Sequence, residues 1–130
     1  MPNPARILIV DDLLSVREVL RAGLESAGHE IQTASSAAEA RTMFTAGRFD
    51  LVICDIQMPG ESGVDLLDWM KSQDADVAVV MVTGVDDAIT AVTAMLKGAS
   101  DYLTKPFTLP EVRARAEQAL EKRRLKLDNR

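Results

Sequence analysis

The sequence predicts a single α/β domain in which helices cover both faces of a parallel sheet. Three short apolar runs without polar alternation, at residues 7–10, 51–54 and 77–82, are typical of strands that are buried on both faces. Longer stretches with helical periodicity separate these runs, so strand and helix alternate along the chain. A length of 130 residues favours one domain.

Two weaker strands complete a pattern of five strand–helix repeats. They are predicted at residues 30–33 and 101–103, and right-handed crossovers are expected between the strands. Glycines 28, 47 and 98 follow helical stretches, where glycine commonly ends a helix. The predicted helices span residues 13–27, 36–46, 63–72 and 86–97, and a fifth begins near Leu109 and runs past Leu120.

The spacing of apolar residues predicts which side of each helix is apolar. Such residues recur every three or four positions, which places them on one face of a helix. In the first and third helices this face is expected to lie against the sheet. The residues are Val16, Val19, Leu20 and Leu24 in the first helix, Val64, Leu67 and Met70 in the third, and Ile89, Val92 and Leu96 in the fourth.

Composition excludes several classes of function. A formal net charge of −5 argues against nucleic-acid binding by the domain as a whole. The single cysteine, Cys54, excludes an internal disulfide and a multi-cysteine zinc site. No apolar run approaches the roughly 20 residues of a membrane span, and the first ten residues carry no secretory cleavage signal, so a cytoplasmic location is expected.

Polar residues follow the predicted strands. Asp11 and Asp12 come after the first strand, Asp55 after the third, Thr83 after the fourth and Lys105 shortly after the fifth. Because ligands of open parallel sheets bind at the carboxyl ends of the strands, these side chains are expected to share one edge. Helix capping is the alternative explanation for the first two aspartates, and the matching position of Asp55 counts against it.

The chemistry of this group favours a cation and a phosphoryl group. Three neighbouring carboxylates either raise one another's pKa or bind a cation, and oxygen ligands without thiol or imidazole favour Mg²⁺. A lysine and a threonine, Lys105 and Thr83, would supply a positive charge and a hydrogen-bond donor for phosphoryl oxygens. Positioning such a group is most of what phosphoryl transfer requires of a protein.

Four segments in order also resemble the receiver domains of two-component response regulators. They are Val-Asp-Asp at 10–12, Asp-Ile-Gln-Met-Pro-Gly at 55–60 with Gly63 beyond, Val-Thr-Gly at 82–84 and Lys-Pro-Phe at 105–107. The resemblance covers residues 6 to 120. It implies a doubly wound, flavodoxin-like fold with strand order 2-1-3-4-5.

The same resemblance implies the roles of the acidic residues. Asp55 would be the phosphoacceptor, drawing its group from a sensor histidine kinase or a phosphotransfer protein. Asp12 and Asp55 would bind Mg²⁺ through their side chains and Gln57 through its backbone carbonyl, while Asp11 would act through a metal-bound water. Lys105 would pair with the phosphoryl oxygens.

The resemblance further implies a switch. Thr83 would move toward the phosphoryl group, Tyr102 would rotate inward behind it, and the bond between Lys105 and Pro106 would be cis. The fourth helix, fifth strand and fifth helix would form the surface that partners read. The lifetime of the phosphoryl group would depend partly on Gln57 and Val85.

Three other functions fit an α/β domain less well. A receiver-like module that acts by contact alone has no need of Asp12, Asp55, Thr83 and Lys105 together. A metal-dependent phosphohydrolase would need a substrate pocket or a cap insertion, and the loops are too short for either. A flavin-binding protein would carry a phosphate-binding loop after the first strand, where two aspartates would repel phosphate. The domain is therefore not expected to be an enzyme beyond phosphorylating and slowly dephosphorylating itself.

Residues 121–130 form a basic extension beyond the predicted receiver domain at residues 1–120. The extension is interpreted as a truncated linker helix leading to an output domain. A solvated helix end and a homodimer interface are the alternatives, and a nucleic-acid patch is the least favoured of the readings. The candidate dimer seam consists of Leu109, Val112, Ala116, Leu120 and Leu127, and Arg123 interrupts it.

The remaining distinctive residues are given ordinary structural roles. Cys54 is expected in the core, and His29 is expected to be solvated in a loop. Trp69 and the six methionines are assigned to packing and surface.

Overall fold

Five parallel strands form the centre of the computed structural model, which describes residues 4–84 and 87–129. Their order is β2-β1-β3-β4-β5, which confirms the predicted doubly wound fold. Val85 and Asp86, the latter predicted to begin the fourth helix, lie outside the described residues. The elements are β1 (Arg6–Val10), α1 (Leu14–Glu25), β2 (Glu30–Ala34), α2 (Ala37–Ala46), β3 (Leu51–Asp55), α3 (Gly63–Gln73), β4 (Ala78–Thr83), α4 (Ala88–Leu96), β5 (Asp101–Thr104) and α5 (Leu109–Asp128).

The sheet separates two apolar cores. Ile7 and Ile9 of β1 point into a core shared with α1 and α5, whereas Leu8 and Val10 point into a core shared with α2, α3 and α4. Successive strand residues face opposite sides, so an uninterrupted apolar strand can serve both cores. All residues of β3 and β4 are buried, as the continuous apolar runs predict.

Local signals set the helix boundaries close to their predicted positions. Ser36, Ser62 and Thr108 cap α2, α3 and α5 by accepting a hydrogen bond from a backbone N–H three residues later. Gly28 and Gly98 adopt positive φ after α1 and α4, which is the conformation that makes glycine the usual helix terminator.

The apolar stripe predicted for α1 is partly wrong. In α1, Leu20 and Leu24 are buried, but Val19 is half exposed because only a narrow strip of the helix touches the sheet. In α4, Ile89, Val92 and Leu96 are all exposed, as expected of residues that share one face, and the helix packs through Ala91 and Ala94. The stripe of α3 is confirmed.

Helix α5 continues without interruption from Leu109 to Asp128. Two residues of the candidate dimer seam, Val112 and Ala116, are buried against the protein's own sheet. Arg123, which interrupts that seam, lies 3.1 Å from the Asp50 carboxylate at the start of β3. The described helices include none that is long and apolar enough to cross a membrane.

His29 is buried, so the prediction of a solvated side chain is wrong. Its Nδ1 accepts a hydrogen bond from the Ala5 N–H at 3.1 Å, and its Nε2 lies 2.6 Å from Oε1 of Glu117 on α5. The ring therefore joins the start of β1 to α5. A loop position after Gly28 suggested solvent, but the loop folds back under the fifth helix.

A candidate metal and phosphoryl site

Four strands deliver the predicted site residues to one edge of the sheet. Asp11 directly follows β1, Asp55 ends β3, Thr83 ends β4 and Lys105 directly follows β5. The strand register sets Asp55 beside Val82 and Thr83 beside Thr104, so these ends lie level. The edge is the one at which open parallel sheets bind ligands.

The three carboxylates of Asp11, Asp12 and Asp55 each offer an oxygen within 4.8 Å of the others. Asp11 and Asp55 are buried, whereas Asp12 is exposed at the mouth of the group. A cluster made of oxygen donors, open to solvent on one side, fits a hard divalent cation that retains water ligands. The residues present therefore suit Mg²⁺.

Asp11 does not serve as a helix cap. Its Oδ1 accepts a hydrogen bond from the Leu13 N–H at 2.9 Å, and its backbone carbonyl accepts one from Arg17 at 2.8 Å. Helix α1 begins after Leu13 and has no side-chain cap. The capping alternative for the Asp11–Asp12 pair is therefore excluded, and the two bonds hold Asp11 in place beside Asp55.

Asp55 is held by its own loop and by Lys105. Its Oδ1 accepts a hydrogen bond from the Gln57 N–H at 3.1 Å, and its Oδ2 lies 3.2 Å from the Lys105 ammonium. Burial raises the pKa of Asp55, and the charge of Asp11 adds to that rise against the lowering effect of the two hydrogen bonds. Lys105 and the Gln57 N–H therefore do not fully stabilise the charged carboxylate of Asp55.

Among the described residues, Lys105 is the cation that pairs with carboxylates of the site. Its ammonium also lies 3.5 Å from Oδ2 of Asp11. Burial alone would lower the pKa of Lys105, but the hydrogen bond and charge of Asp55, together with Asp11, raise it overall. One ammonium pairs with two of the three carboxylates, and a divalent cation would offset the negative charge that is left.

Gly63 allows the first turn of α3 to touch the phosphoacceptor strand. A Cβ at this position would overlap the carbonyl oxygen of Asp55 and lie 2.8 Å from the Ile56 Cα. The Gly63 N–H donates to the Ile56 carbonyl at 2.8 Å. Sequence inspection found Gly63 as part of a motif, but the close approach that requires glycine is visible only in the fold.

The Gln57 side chain makes a contact that the sequence did not predict. Its Nε2 donates a hydrogen bond to Oδ2 of Asp87 at 2.7 Å, just before α4. Oδ1 of Asp87 accepts a second bond from the Thr90 hydroxyl at 2.9 Å. The loop that holds Asp55 is therefore tied to the first turn of α4, although 30 residues separate Gln57 from Asp87.

The model of the response regulator receiver domain matches residues 7–117 of this chain. This chain belongs to the response-regulator receiver family. Curated relatives include the C4-dicarboxylate transport transcriptional regulatory protein DctD of Pseudomonas aeruginosa, 39% identical over 96% of this chain and 27% of the relative. The DNA-binding transcriptional regulator NtrC of Azospirillum brasilense is 38% identical over 91% of this chain and 24% of the relative. The chain thus spans about a quarter of the length of both.

Solved structures confirm the receiver fold. NtrX from Brucella abortus, in complex with ADP, superposes with a TM-score of 0.93 at 37% identity, covering 97% of this chain and 29% of that one. A response regulator receiver domain protein from Clostridium thermocellum superposes with a TM-score of 0.88 at 36% identity, covering 93% and 98% of the two chains.

The two residues expected to switch differ in exposure, since Thr83 is buried and Tyr102 is exposed. The Thr83 side chain is buried, and its hydroxyl donates to the Gly84 carbonyl at 3.3 Å. Tyr102 on β5 is 42% exposed and points outward. The peptide bond between Lys105 and Pro106 is cis, as expected from the resemblance. The predicted movements of Thr83 and Tyr102 remain predictions.

Cys54 lies next to Asp55 in β3 and is fully buried, which confirms its predicted place in the core. Its thiol lies 3.3 Å from the Asp55 carbonyl oxygen. Burial raises the pKa of this thiol, and the charges of Asp55 and Asp11 raise it further.

Proposed function

We propose that this receiver domain accepts a phosphoryl group on Asp55 from a sensor histidine kinase or a phosphotransfer protein, and that the modified domain regulates an output domain or partner. The observation that carries the proposal is the Asp55 carboxylate itself. It is buried, lies 3.2 Å from the Lys105 ammonium and belongs to a cluster of three carboxylates. No ordinary structural role requires that combination at a sheet edge.

In the proposed reaction a carboxylate oxygen of Asp55 attacks the phosphorus of the donor. A bond forms between that oxygen and phosphorus as the bond from phosphorus to the donor's leaving atom breaks, and the product is an acyl phosphate. The Gln57 N–H fixes the plane of the attacking carboxylate through its hydrogen bond to Oδ1. In-line positioning and charge stabilisation supply most of the catalysis.

Bound Mg²⁺ would neutralise charge on the phosphoryl oxygens. Asp11, Asp12 and Asp55 would hold it, together with the Gln57 carbonyl. Lys105, now shared between Asp55 and Asp11, would turn to the arriving oxygens and form a charge-assisted hydrogen bond. The domain would be an enzyme only toward its own aspartate.

The phosphoryl group would act as a switch by adding roughly −1.5 to −2 charges and strong acceptor oxygens beside Thr83. Thr83 would exchange its bond to the Gly84 carbonyl for one to the phosphoryl group, which would leave room for Tyr102 to turn inward. Because the two relatives described above are about four times as long, we propose that this receiver works within or beside a larger cytoplasmic regulator. The α4–β5–α5 face would be the surface that the output domain, a partner or a second copy of the domain contacts.

A contact-only receiver is the second candidate function. It would need the exposed apolar surface of α4, where Ile89 is 85% exposed, and would not need the acidic site. The two functions differ in one observable, because only the first predicts a covalent change at Asp55.

Intact mass after incubation with acetyl phosphate tests the proposal. The wild type is expected to gain one phosphoryl group only when Mg²⁺ is present, and Asp55→Asn is expected to gain none. Asp65→Asn, which makes the same chemical change at an exposed site on α3, should behave as the wild type. A short acid quench preserves the adduct long enough for detection.

The opposite result would be a wild type without adduct although Mg²⁺ binding is measured directly and hydrolysis is shown to be slow. The contact-only function would then replace the phosphoryl switch. An adduct that persists in Asp55→Asn would instead move the acceptor to another residue.

A further inference from the structure

A cavity lies at the amino-terminal edge of the sheet, opposite the phosphoryl site. It has a volume of about 130 Å³, is open to solvent on one side, and is lined by the end of α3, the loop before β5 and the last turns of α5. Most of the charged side chains around it are basic. They are Lys71, Lys122, Arg123 and Lys126, and the acidic one is Asp76.

Lys71 is partly buried in this cavity and is held by backbone oxygens. Its ammonium donates to the Val77 carbonyl at 2.6 Å and to the Ala75 carbonyl at 3.3 Å. A lysine ammonium has three donors, so one remains for the cavity. The ion pairs formed between described residues include none that uses Lys71, Lys122 or Lys126.

The positive charges of the cavity act on one another. Burial lowers the pKa of Lys71, and the charges of Lys126 and Lys122 lower it further, whereas Asp74 and Asp76 raise it. The lowering effects prevail. A local excess of positive charge in a chain with a net charge of −5 indicates a surface that attracts an anion.

Arg123 adds a donor that the fold leaves unused. Its Nη1 is occupied by Asp50, but its Nε is buried and has no hydrogen-bond partner among the described residues. A buried donor without a partner is destabilising unless a ligand or water satisfies it. Ser100, also in the lining, accepts a weak bond from the Val79 N–H at 3.4 Å, and its own hydroxyl proton can be donated to a ligand.

We propose that this cavity binds a single phosphate-type oxyanion, held by the ammonium groups of Lys71, Lys122 and Lys126 and by the Ser100 hydroxyl. The volume suits one tetrahedral oxyanion. Lysines act as point charges that suit such an anion, and the Nε–H of Arg123, which has no partner among the described residues, can add a donor while Nη1 stays with Asp50. The anion would join α3 to the last turns of α5, away from Asp55.

Titration of the ¹⁵N-labelled chain with inorganic phosphate tests the site by NMR. EDTA is included so that no metal recruits phosphate to the acidic edge, and chloride keeps the ionic strength constant at about 0.15 M because salt screens non-specific binding. Saturable shifts are expected at the amides of residues 98–100, which line the cavity. The amides of Asp55 and Gln57, at the phosphoryl site, should not shift.

Two variants that each lose one positive charge locate the binding. Lys126→Gln should weaken phosphate binding by about tenfold or more, since it removes a charge-assisted hydrogen bond to the anion. Arg124→Gln, on the other side of the same helix and paired with Glu121 and Asp128, should bind as the wild type. The proposal would be overturned if the shifts never saturate, or if the two variants weaken phosphate binding equally.

A third titration identifies the source of the phosphate. Adenosine monophosphate that binds as tightly as inorganic phosphate, or more tightly, would indicate a phosphate carried by a larger molecule. Binding of inorganic phosphate alone would indicate the free ion. If neither ligand saturates the amides of residues 98–100, the cavity is not an oxyanion site.

Discussion

Helices α3 and α4 lie on the same face of the sheet, yet they are held in different ways. α3 buries Leu66, Leu67 and Met70 completely, whereas α4 buries only Ala91 and Ala94. Apolar burial stabilises by about 25 cal/mol per Å², so large side chains anchor a helix far more firmly than alanine does. α4 instead turns its large apolar side chains to solvent.

Polar contacts hold α4 at its two ends. Asp87 accepts the hydrogen bond from Gln57 before the first turn, and Lys97 forms an ion pair with Asp68 of α3 at 2.6 Å after the last. Exposed contacts of this kind are worth about 0–1 kcal/mol each. We therefore predict that α3 stays in place when the site changes and that α4 is the helix that moves.

Truncation of one leucine in each helix is the strongest test of this contrast. Leu67→Ala is expected to lower the free energy of unfolding by about 2–5 kcal/mol, because it leaves a cavity in the core. Leu96→Ala, at an 84% exposed position of α4, should change it by no more than about 0.5 kcal/mol. Urea unfolding followed by circular dichroism measures both. Similar losses in the two variants would abolish the contrast.

Gly63→Ala should test the contact between α3 and the Asp55 strand. The added methyl group would overlap backbone atoms, so we expect a loss of about 1–3 kcal/mol in the free energy of unfolding. Phosphorylation by acetyl phosphate should slow as well, because Asp55 must shift. Gly84→Ala is the matched control, since a Cβ there meets no atom within 4 Å. Equal behaviour of the two variants would contradict the assigned role of Gly63.

Loss of the Gln57 side chain should loosen the first turn of α4. Gln57→Leu keeps the backbone groups of the site and is expected to cost about 0.5–1.5 kcal/mol of local stability. Hydrogen exchange should become faster at α4 amides while those of α3 stay unchanged. Asp87→Ala should have the same effect, and the double variant should add little to either single change. Full additivity would show that the two side chains act separately.

Asp55→Asn should have the smallest effect on stability, and the direction of the change in melting temperature is what tests the site. Since burial raises the folded-state pKa of Asp55, the stability that this group contributes is present below its ordinary value of about 3.9 and lost as pH rises through the folded value. The metal-free variant should therefore melt slightly above the wild type at pH 7, and this difference should vanish toward pH 4. Mg²⁺ should raise the melting temperature of the wild type more. A variant that melts lower at pH 7 without metal would contradict the raised pKa of Asp55.

The strand positions and the acidic edge of the sheet could be predicted because each depends on the order of residues within a short stretch of sequence. Continuous apolar runs are required of strands covered on both faces, and the residue after such a strand must lie at the sheet edge. Asp11, Asp55, Thr83 and Lys105 therefore fall where the sequence placed them. Their chemical roles remain predictions.

Contacts between distant polar residues could not be predicted in the same way. Gln57 meets Asp87, Arg123 meets Asp50, and His29 meets Glu117 only because the tertiary fold brings their elements together. Periodicity also shows that the large residues of α4 share a face without showing which way the face turns. Ala91 and Ala94 decide that orientation, since small side chains allow close approach to the sheet.

Cys54, which precedes the proposed phosphoacceptor Asp55 in β3, could in principle react with the phosphorylated site. An aspartyl phosphate is a mixed anhydride that a thiolate can attack, and thiolates are also the form of cysteine that peroxides oxidise. Cys54 is adjacent in sequence, but strand alternation turns it to the opposite face, and its burial keeps it as an unreactive thiol. We therefore expect hydrolysis by water, and not attack by Cys54, to end the proposed signal. Oxidants in the surroundings are not expected to modify the buried thiol.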